Sequence, residues 1–258
     1  MGVLSIVVTI AILVLIIILV RWWLSDPYTL QNIQSGETPS TIKASSLATN
    51  GTGSASNNFS YSVWFFINDW NYRYGEPKVI FGRMGAPSSS GQGTIQGVSG
   101  LDPCPVVVLA PTQNNISVSL GCYPGADETP TTSGGNTVVS TYTIENIPIQ
   151  SWVNFVISVY GRTMDMYIDG KLVKTGLLKG IASINNDADI YVTPSGGFDG
   201  WTSKLQFYPT PLNPQQVWNI YKDGYQGGNP ISNFFSFNNY QVQIALVENG
   251  ITQGSLTI

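Results

Sequence analysis

Apolar residues recur at every second position in one run after another of this chain, a period that leaves room for little besides β-structure. Phe59, Tyr61, Val63, Phe65 and Ile67 fall on one side of an extended chain, with Ser60, Ser62 and Asn68 on the other. That is the pattern of a half-buried strand. Comparable runs occupy residues 78–84, 105–110, 116–122, 137–145, 152–160, 164–168, 188–193 and 204–208, separated by clusters of Gly, Pro, Asn and Ser. Many short strands with turn residues between them predict an all-β, two-sheet antiparallel sandwich. Met164 and Met166 alternate with Asp165 and Tyr167 and are expected in its core. Ile168-Asp169-Gly170-Lys171 carries the Asp-Gly hairpin signal, whose turn needs positive φ at both central residues. One short helix is expected over residues 212–224. Asn213 can cap it, Pro214 suits its first position, Val217, Ile220 and Tyr221 form its apolar stripe, and Gly224 ends it.

The first 24 residues follow another rule. Val3 to Val20 is apolar apart from Ser5 and Thr9, and as a helix it would span roughly 27 Å, close to the hydrocarbon thickness of a bilayer. Arg21, Trp22 and Trp23 come next, a cation and two indoles of the kind that settle at the membrane–water interface. No basic residue precedes the run and no small-x-small cleavage site follows it, so a transmembrane helix over 1–24 is expected rather than a cleaved signal. Residues 25–57 are rich in Ser, Thr, Asn and Gly and are expected to be a polar linker, either a flexible stalk or an ordered strap. Residues 226–258 form a separate extension. Its arms at 240–247 and 251–258 flank Glu248-Asn249-Gly250 and predict a β-hairpin.

Only 10% of the residues are charged and there is no histidine, against about a quarter charged in ordinary domains. The missing imidazole removes the usual general base and the commonest metal ligand. Eleven Lys and Arg against 15 Asp and Glu argue against a nucleic-acid partner. Cys104 and Cys122 flank a predicted hairpin, and a turn centred on Gln113 would set them opposite each other, in reach of a disulfide. A bridge calls for an oxidising compartment, whereas Arg21, on the C-terminal side of the apolar run, puts the sandwich in the cytoplasm by the positive-inside rule. These two indications oppose each other. Asn50, Asn58 and Asn115 each begin a glycosylation sequon, which matters only if the domain is lumenal.

The stretch from Trp152 to Lys171, a strand opened by Trp, a turn Gly161 and a second strand closing in Tyr167-Ile-Asp-Gly170, resembles the core of laminin-G-like, concanavalin-A-like jelly rolls. Phe59–Ile67 resembles that family's opening strand. Gly197-Phe-Asp-Gly200, Leu205-Gln-Phe-Tyr208 and the Asn213–Tyr221 helix resemble its close. The resemblance covers residues 58–225 and implies two stacked antiparallel sheets of about 12 to 14 strands. Hydrolases of this fold carry a Glu-x-Asp-x-x-Glu cluster on one strand. Here the only adjacent carboxylates are Asp127 and Glu128, in a Pro/Gly/Thr loop, so an enzyme is not expected. Calcium is the ion the resemblance brings with it. Asp187, Asp189 and Asp199 are weak candidates for it, the favoured reading being turn aspartates and no cofactor.

The segment Asn68-Asp-Trp-Asn-Tyr-Arg-Tyr-Gly-Glu76 gathers Trp70, Tyr72, Arg73 and Tyr74 in one loop. Such a loop suits sugar stacking, a protein interface, or packing over the edge of the sandwich. The order of anchor, linker, sandwich and hairpin tail resembles membrane-anchored minor capsid proteins of large icosahedral DNA viruses. That resemblance implies a non-enzymatic structural protein, held in a lipid bilayer and binding capsid or other structural proteins between the internal membrane and the capsid shell of a virion. The alternative is a membrane-anchored lectin that binds a glycan.

Overall fold

In the structure, a computed structural model, the described residues are 26–47, 57–84, 102–131 and 136–226, with the backbone of 243–248 and 251–257 and four residues of the N-terminal run. Those four, Ile12, Leu15, Ile16 and Leu19, are helical and exposed. The rest of the expected membrane span, and Arg21, Trp22 and Trp23 after it, lie outside the described residues. Among the described residues no helix is long and apolar enough to cross a membrane.

Among the described residues thirteen strands build two antiparallel sheets. Sheet A runs β1 (Thr29–Gln31), β13 (Asp199–Tyr208), β4 (Phe59–Asp69), β9 (Trp152–Tyr160), β10 (Thr163–Ile168) and β11 (Lys171–Leu177), with β2 (Gln34–Ser35) also on β13. Sheet B runs β3 (Ser40–Ile42), β12 (Ile190–Val192), β5 (Lys78–Arg83), β6 (Val106–Leu109), β7 (Ile116–Cys122) and β8 (Val138–Ile144). The inner faces meet in one core. The five alternating apolar residues of β4, Phe59, Tyr61, Val63, Phe65 and Ile67, are each at most 1% exposed, and they share it with Phe81, Val107, Val118, Phe155, Ile157, Met164 and Met166. Each fully buried side chain of this size contributes roughly 1.5–3 kcal/mol of transfer free energy.

The strand pattern held, but the polar side of β4 did not stay in water. Ser60, Ser62, Asn154 and Ser158 are all buried, since the segment before helix α1 (Pro214–Asp223) lies against Ser60 and Ser158, and the helix's Val217 and Ile220 pack on Val156 and Tyr167 of the same outer face of sheet A. Their hydroxyl and amide groups are matched across the strands and to that segment. The Asn154 Nδ2 donates to Ser62 Oγ at 3.2 Å, the Leu212 N–H points at Ser60 Oγ and Ser158 Oγ, both at 2.9 Å, and Ser158 Oγ donates to Leu212 O at 3.0 Å. Burial without partners is costly; the three hydroxyls and Asn154 Nδ2 each have one, whereas Asn154 Oδ1 has none. Helix α1 begins at the expected cap. Asn213 Oδ1 accepts from the Gln216 N–H and Gln216 Oε1 accepts from the Asn213 N–H, both at 2.9 Å, a reciprocal capping box that adds to the proline signal. The two-residue turn at Asp169 (φ 50°) and Gly170 (φ 75°) joins β10 to β11 as its sequence demands. The open side between β8 and β11 is closed by side chains: Tyr142 Oη donates to Leu177 O, and Lys174 Nζ to Thr143 O at 2.8 Å.

Of the two alternatives for residues 25–57, the described part is an ordered strap: β1 and β2 extend sheet A and β3 extends sheet B. The expectation of a disulfide fails. The cysteines are free and buried rather than bridged. Leu109 pairs with Ile116 and Val107 with Val118. Six residues therefore connect β6 to β7, and an even-length connection has its centre between Thr112 and Gln113. The ladder is displaced by one residue from the expected one, which sets Gly121 rather than Cys122 beside the Cys104 segment; the Gly121 N–H donates to Pro103 O at 2.7 Å. Gly227–Ile258 is a separate compact unit. In it β14 (Gln243–Glu248) pairs antiparallel with β15 (Ile251–Thr257) across Asn249-Gly250.

Candidate functional site

Three loops meet at one end of the sandwich and enclose a cleft of about 620 Å³. Its walls are Trp70 from the β4–β5 loop, Thr112, Gln113, Asn114 and Asn115 from the β6–β7 turn, and Glu145, Asn146 and Ile149 from the β8–β9 loop. The loops are held to one another by their backbones. Asn114 O accepts from the Ile147 N–H at 2.8 Å, while Asn114 Nδ2 donates to Ile147 O at 3.1 Å. Asn115 Oδ1 accepts from the Asn146 N–H at 3.2 Å, and its Nδ2 donates to Gln113 Oε1 at 3.0 Å. The Gly75 N–H reaches Pro111 O at 3.0 Å, and the Gln150 N–H reaches Ile67 O at 2.8 Å. Asn146 adopts φ 57°, a left-handed conformation that asparagine tolerates better than most residues.

Trp70 follows directly on β4. Asp69 Oδ1 accepts from the Asn71 N–H (2.8 Å) and from Asn71 Nδ2 (3.1 Å), curling the chain immediately after the tryptophan. The indole is half-buried against the main core. The Lys78 ammonium sits 5.0 Å from its ring centroid. Lys78 is 2% exposed and its Nζ has no hydrogen-bond partner. Burial, and after it the Arg73 guanidinium, lowers its pKa from the ordinary 10.5; Glu76 and Asp69 pull it back up.

The other residues expected here fall in different places. Arg73 is a clamp inside its own loop region. Its Nε and Nη2 bind Glu76 Oε2 at 2.9 and 2.6 Å, and Nη1 donates to Ser195 O at 2.6 Å. Tyr72 is half-buried beside Gly196, whereas Tyr74 is 61% exposed. Of the four, Trp70 alone lines the cleft. The amides and Glu145 are turn residues by type and carry no binding signal of their own; the sequence marks only Gln113, as a turn centre, and Asn115, as a sequon. Both described sequon asparagines use their side chains internally, Asn58 Oδ1 accepting from the Gly161 N–H at 2.7 Å.

The weak calcium candidates do not come together. Asp189 pairs with Lys43 Nζ at 2.8 Å and accepts from the Ala44 N–H at 2.9 Å. The Lys43 hydrogen bond holds its carboxyl below the usual range. Asp199 accepts from Asn68 Nδ2 at 2.9 Å, and the Asp187 N–H donates to Asn185 Oδ1 at 3.0 Å. Among the described residues no three carboxylate, thiol or imidazole groups are grouped as metal ligands.

An indole ring beside amide, hydroxyl and carboxylate groups can take a ligand with one apolar face and many hydroxyls. The ring receives the C–H face, and the amides and carboxylate exchange hydrogen bonds with the rim. The cleft is also within the size range of small-ligand sites. No known protein family matches the sequence, and no curated protein matches it as a relative. The fold does have likenesses among solved structures. The receptor binding domain of botulinum neurotoxin D matches with a TM-score of 0.51 and 16% identity over 77% of this chain and 46% of that one. The botulinum neurotoxin serotype D binding domain matches with a TM-score of 0.51 and 14% identity over 77% and 50%. The chain thus spans about half the length of the structures it matches. Neither likeness bears on a membrane anchor or a viral capsid. At these identities what is shared is the fold, a concanavalin-A-like two-sheet antiparallel β-sandwich.

Proposed function

We propose that this chain is a non-enzymatic, membrane-anchored carbohydrate-binding protein that takes a sugar in the cleft at Trp70. The observation that carries this reading is the convergence of one indole with Thr112, Gln113, Asn114, Asn115, Glu145 and Asn146 from three tied loops. The fold likeness supports it, since the matched domains are named as receptor-binding or binding domains. The cleft lining holds one carboxylate, Glu145, whereas glycoside hydrolysis uses two. Residues 1–24 would supply the anchor. The test is a glycan array probed with the full chain in detergent, with and without calcium, beside Trp70→Ala. Binding that Trp70→Ala weakens at least tenfold is the expected result. Silence under both conditions, or binding indifferent to Trp70, would sink the proposal.

A second reading, a minor capsid protein joining a capsid shell to an internal membrane, draws on the outer face of sheet A. Trp201 pairs with Phe66 and Phe66 with Trp152, an aromatic row across three strands in which Trp201 is 48% exposed. Aromatic residues of this kind favour protein interfaces. Loss of binding to jelly-roll capsid proteins on Trp201→Ser supports this reading. A full chain with no affinity for them eliminates it.

A further inference from the structure

We propose that the cleft selects neutral sugars and excludes sialylated and sulfated ones, with Glu145 as the specificity-determining residue. The inference rests on the carbohydrate-binding reading and narrows it to a ligand class. Among the described residues eight line the cleft, and of these Glu145 alone carries a charge; the others are an indole, an isoleucine, a threonine and four side-chain amides. Amides and a carboxylate can all accept hydrogen bonds from sugar hydroxyls, and the amides also donate. An anionic sugar has no donor to offer Glu145 at its carboxylate or sulfate.

Short distances favour repulsion. A space of 620 Å³ is only about 11 Å across if it were round, little more than the roughly 8 Å screening length at physiological ionic strength. Any charge on a bound ligand therefore feels Glu145. Cations on the neighbouring elements are already engaged, Lys78 at the Trp70 ring, Arg73 with Glu76, and Lys174 with the carbonyl of Thr143, two residues from Glu145. Lys78 is buried at the Trp70 ring and is not part of the lining, so a ligand would have to displace the indole to reach it. The Arg73 guanidinium is already occupied by Glu76 and by the carbonyls of Ser195 and Gly197. Rejection by an unpaired like charge is an economical source of specificity, because it costs the favoured ligand nothing.

The experiment uses the full chain in detergent and pairs of array glycans that differ only by a terminal sialic acid or sulfate. Wild type, Glu145→Gln, Glu145→Lys and Trp70→Ala are compared. Glu145 is exposed, so its substitutions leave the core untouched. Wild type is expected to prefer the neutral member at least tenfold, Glu145→Gln to narrow that ratio to within about threefold, and Glu145→Lys to reverse it. Equal or better binding of the anionic member by wild type overturns the inference, as does a ratio that Glu145→Gln leaves unchanged. If that happens while Trp70→Ala still abolishes binding, the selectivity fails and the carbohydrate site stands. If no glycan binds, or Trp70→Ala has no effect, both fail together.

Discussion

Replacing Lys78 with methionine should make the sandwich more stable, and the surroundings of the ammonium set the size of the gain. Lys78 is 2% exposed and its Nζ lacks a hydrogen-bond partner. Leaving a buried charged group unsatisfied costs about 1–3 kcal/mol or somewhat more. The Trp70 ring at 5.0 Å returns about 1 kcal/mol. Methionine keeps an unbranched apolar stem of similar length and gives up both terms. The net expectation is a gain of about 1–2 kcal/mol at pH 7, or about 2–8 °C in Tm for a domain of this size. The sign with pH follows from the lowered pKa. The unfolded lysine binds its proton at about 10.5, and the folded one binds it only at lower pH, because burial and then Arg73 disfavour the charged form. Wild type therefore loses stability as pH falls from above 10.5 through the lowered folded value, and the penalty is constant below that. Methionine does not titrate, so its advantage shrinks as pH rises towards 10.5 and is absent above it. Urea unfolding of the two full chains at pH 7 and pH 11 measures it. A methionine variant less stable than wild type at pH 7, or an advantage indifferent to pH, would refute the reasoning.

Gly170→Ala is expected to destabilise by about 1–3 kcal/mol in urea unfolding. Its φ is 75°, and an added Cβ would stand 2.7 Å from the Trp218 ring; an unchanged midpoint would contradict that geometry. Asn213→Ala removes the Gln216 N–H to Asn213 Oδ1 bond of the capping box and leaves the Asn213 N–H to Gln216 Oε1 bond in place, and it should cost about 1 kcal/mol, whereas Asn213→Ser should recover most of it. Cys104 and Cys122 are free and buried, and burial pushes the Cys104 thiol up. In the native protein they should resist alkylation, yet both should label in urea without any reductant. A chain that labels only after reduction would mean that they are bridged.

Most of the sandwich was legible because its signals are local or periodic. The alternation from Phe59 to Ile67 is a consequence of the pleat, and Asp169-Gly170 and Asn213-Pro214 name their own turn and cap. What stayed hidden depends on partners distant in the chain. Strands β1, β2 and β3 are two or three residues long and polar, and they exist because β13 and β12 present free edges to them. Ser60 and Ser62 read as solvent-facing because nothing in β4 announces that α1 and the segment before it will pack on that face of sheet A. The cysteine pairing was lost to one residue of loop parity, and a slip of one exchanges the two faces of a strand.

The cleft shows the same limit in its sharpest form. Trp70 was found because an aromatic in a polar loop is unusual, whereas Asn114, Asn115, Glu145 and Asn146 are what any turn might contain. Their meaning comes from being tied together, Asn114 to Ile147 and Asn115 to Asn146, across some 30 residues of sequence. Arg73 gives the converse case. Its residue type and its neighbours Tyr72 and Tyr74 suggested a binding residue, but its guanidinium is used to brace the loop against the Ser195–Gly197 turn. In a sandwich whose chemistry lies at loop junctions, composition can locate a site by its rarest residue. Its polar partners, and so its ligand class, follow only from which loops the two sheets bring together.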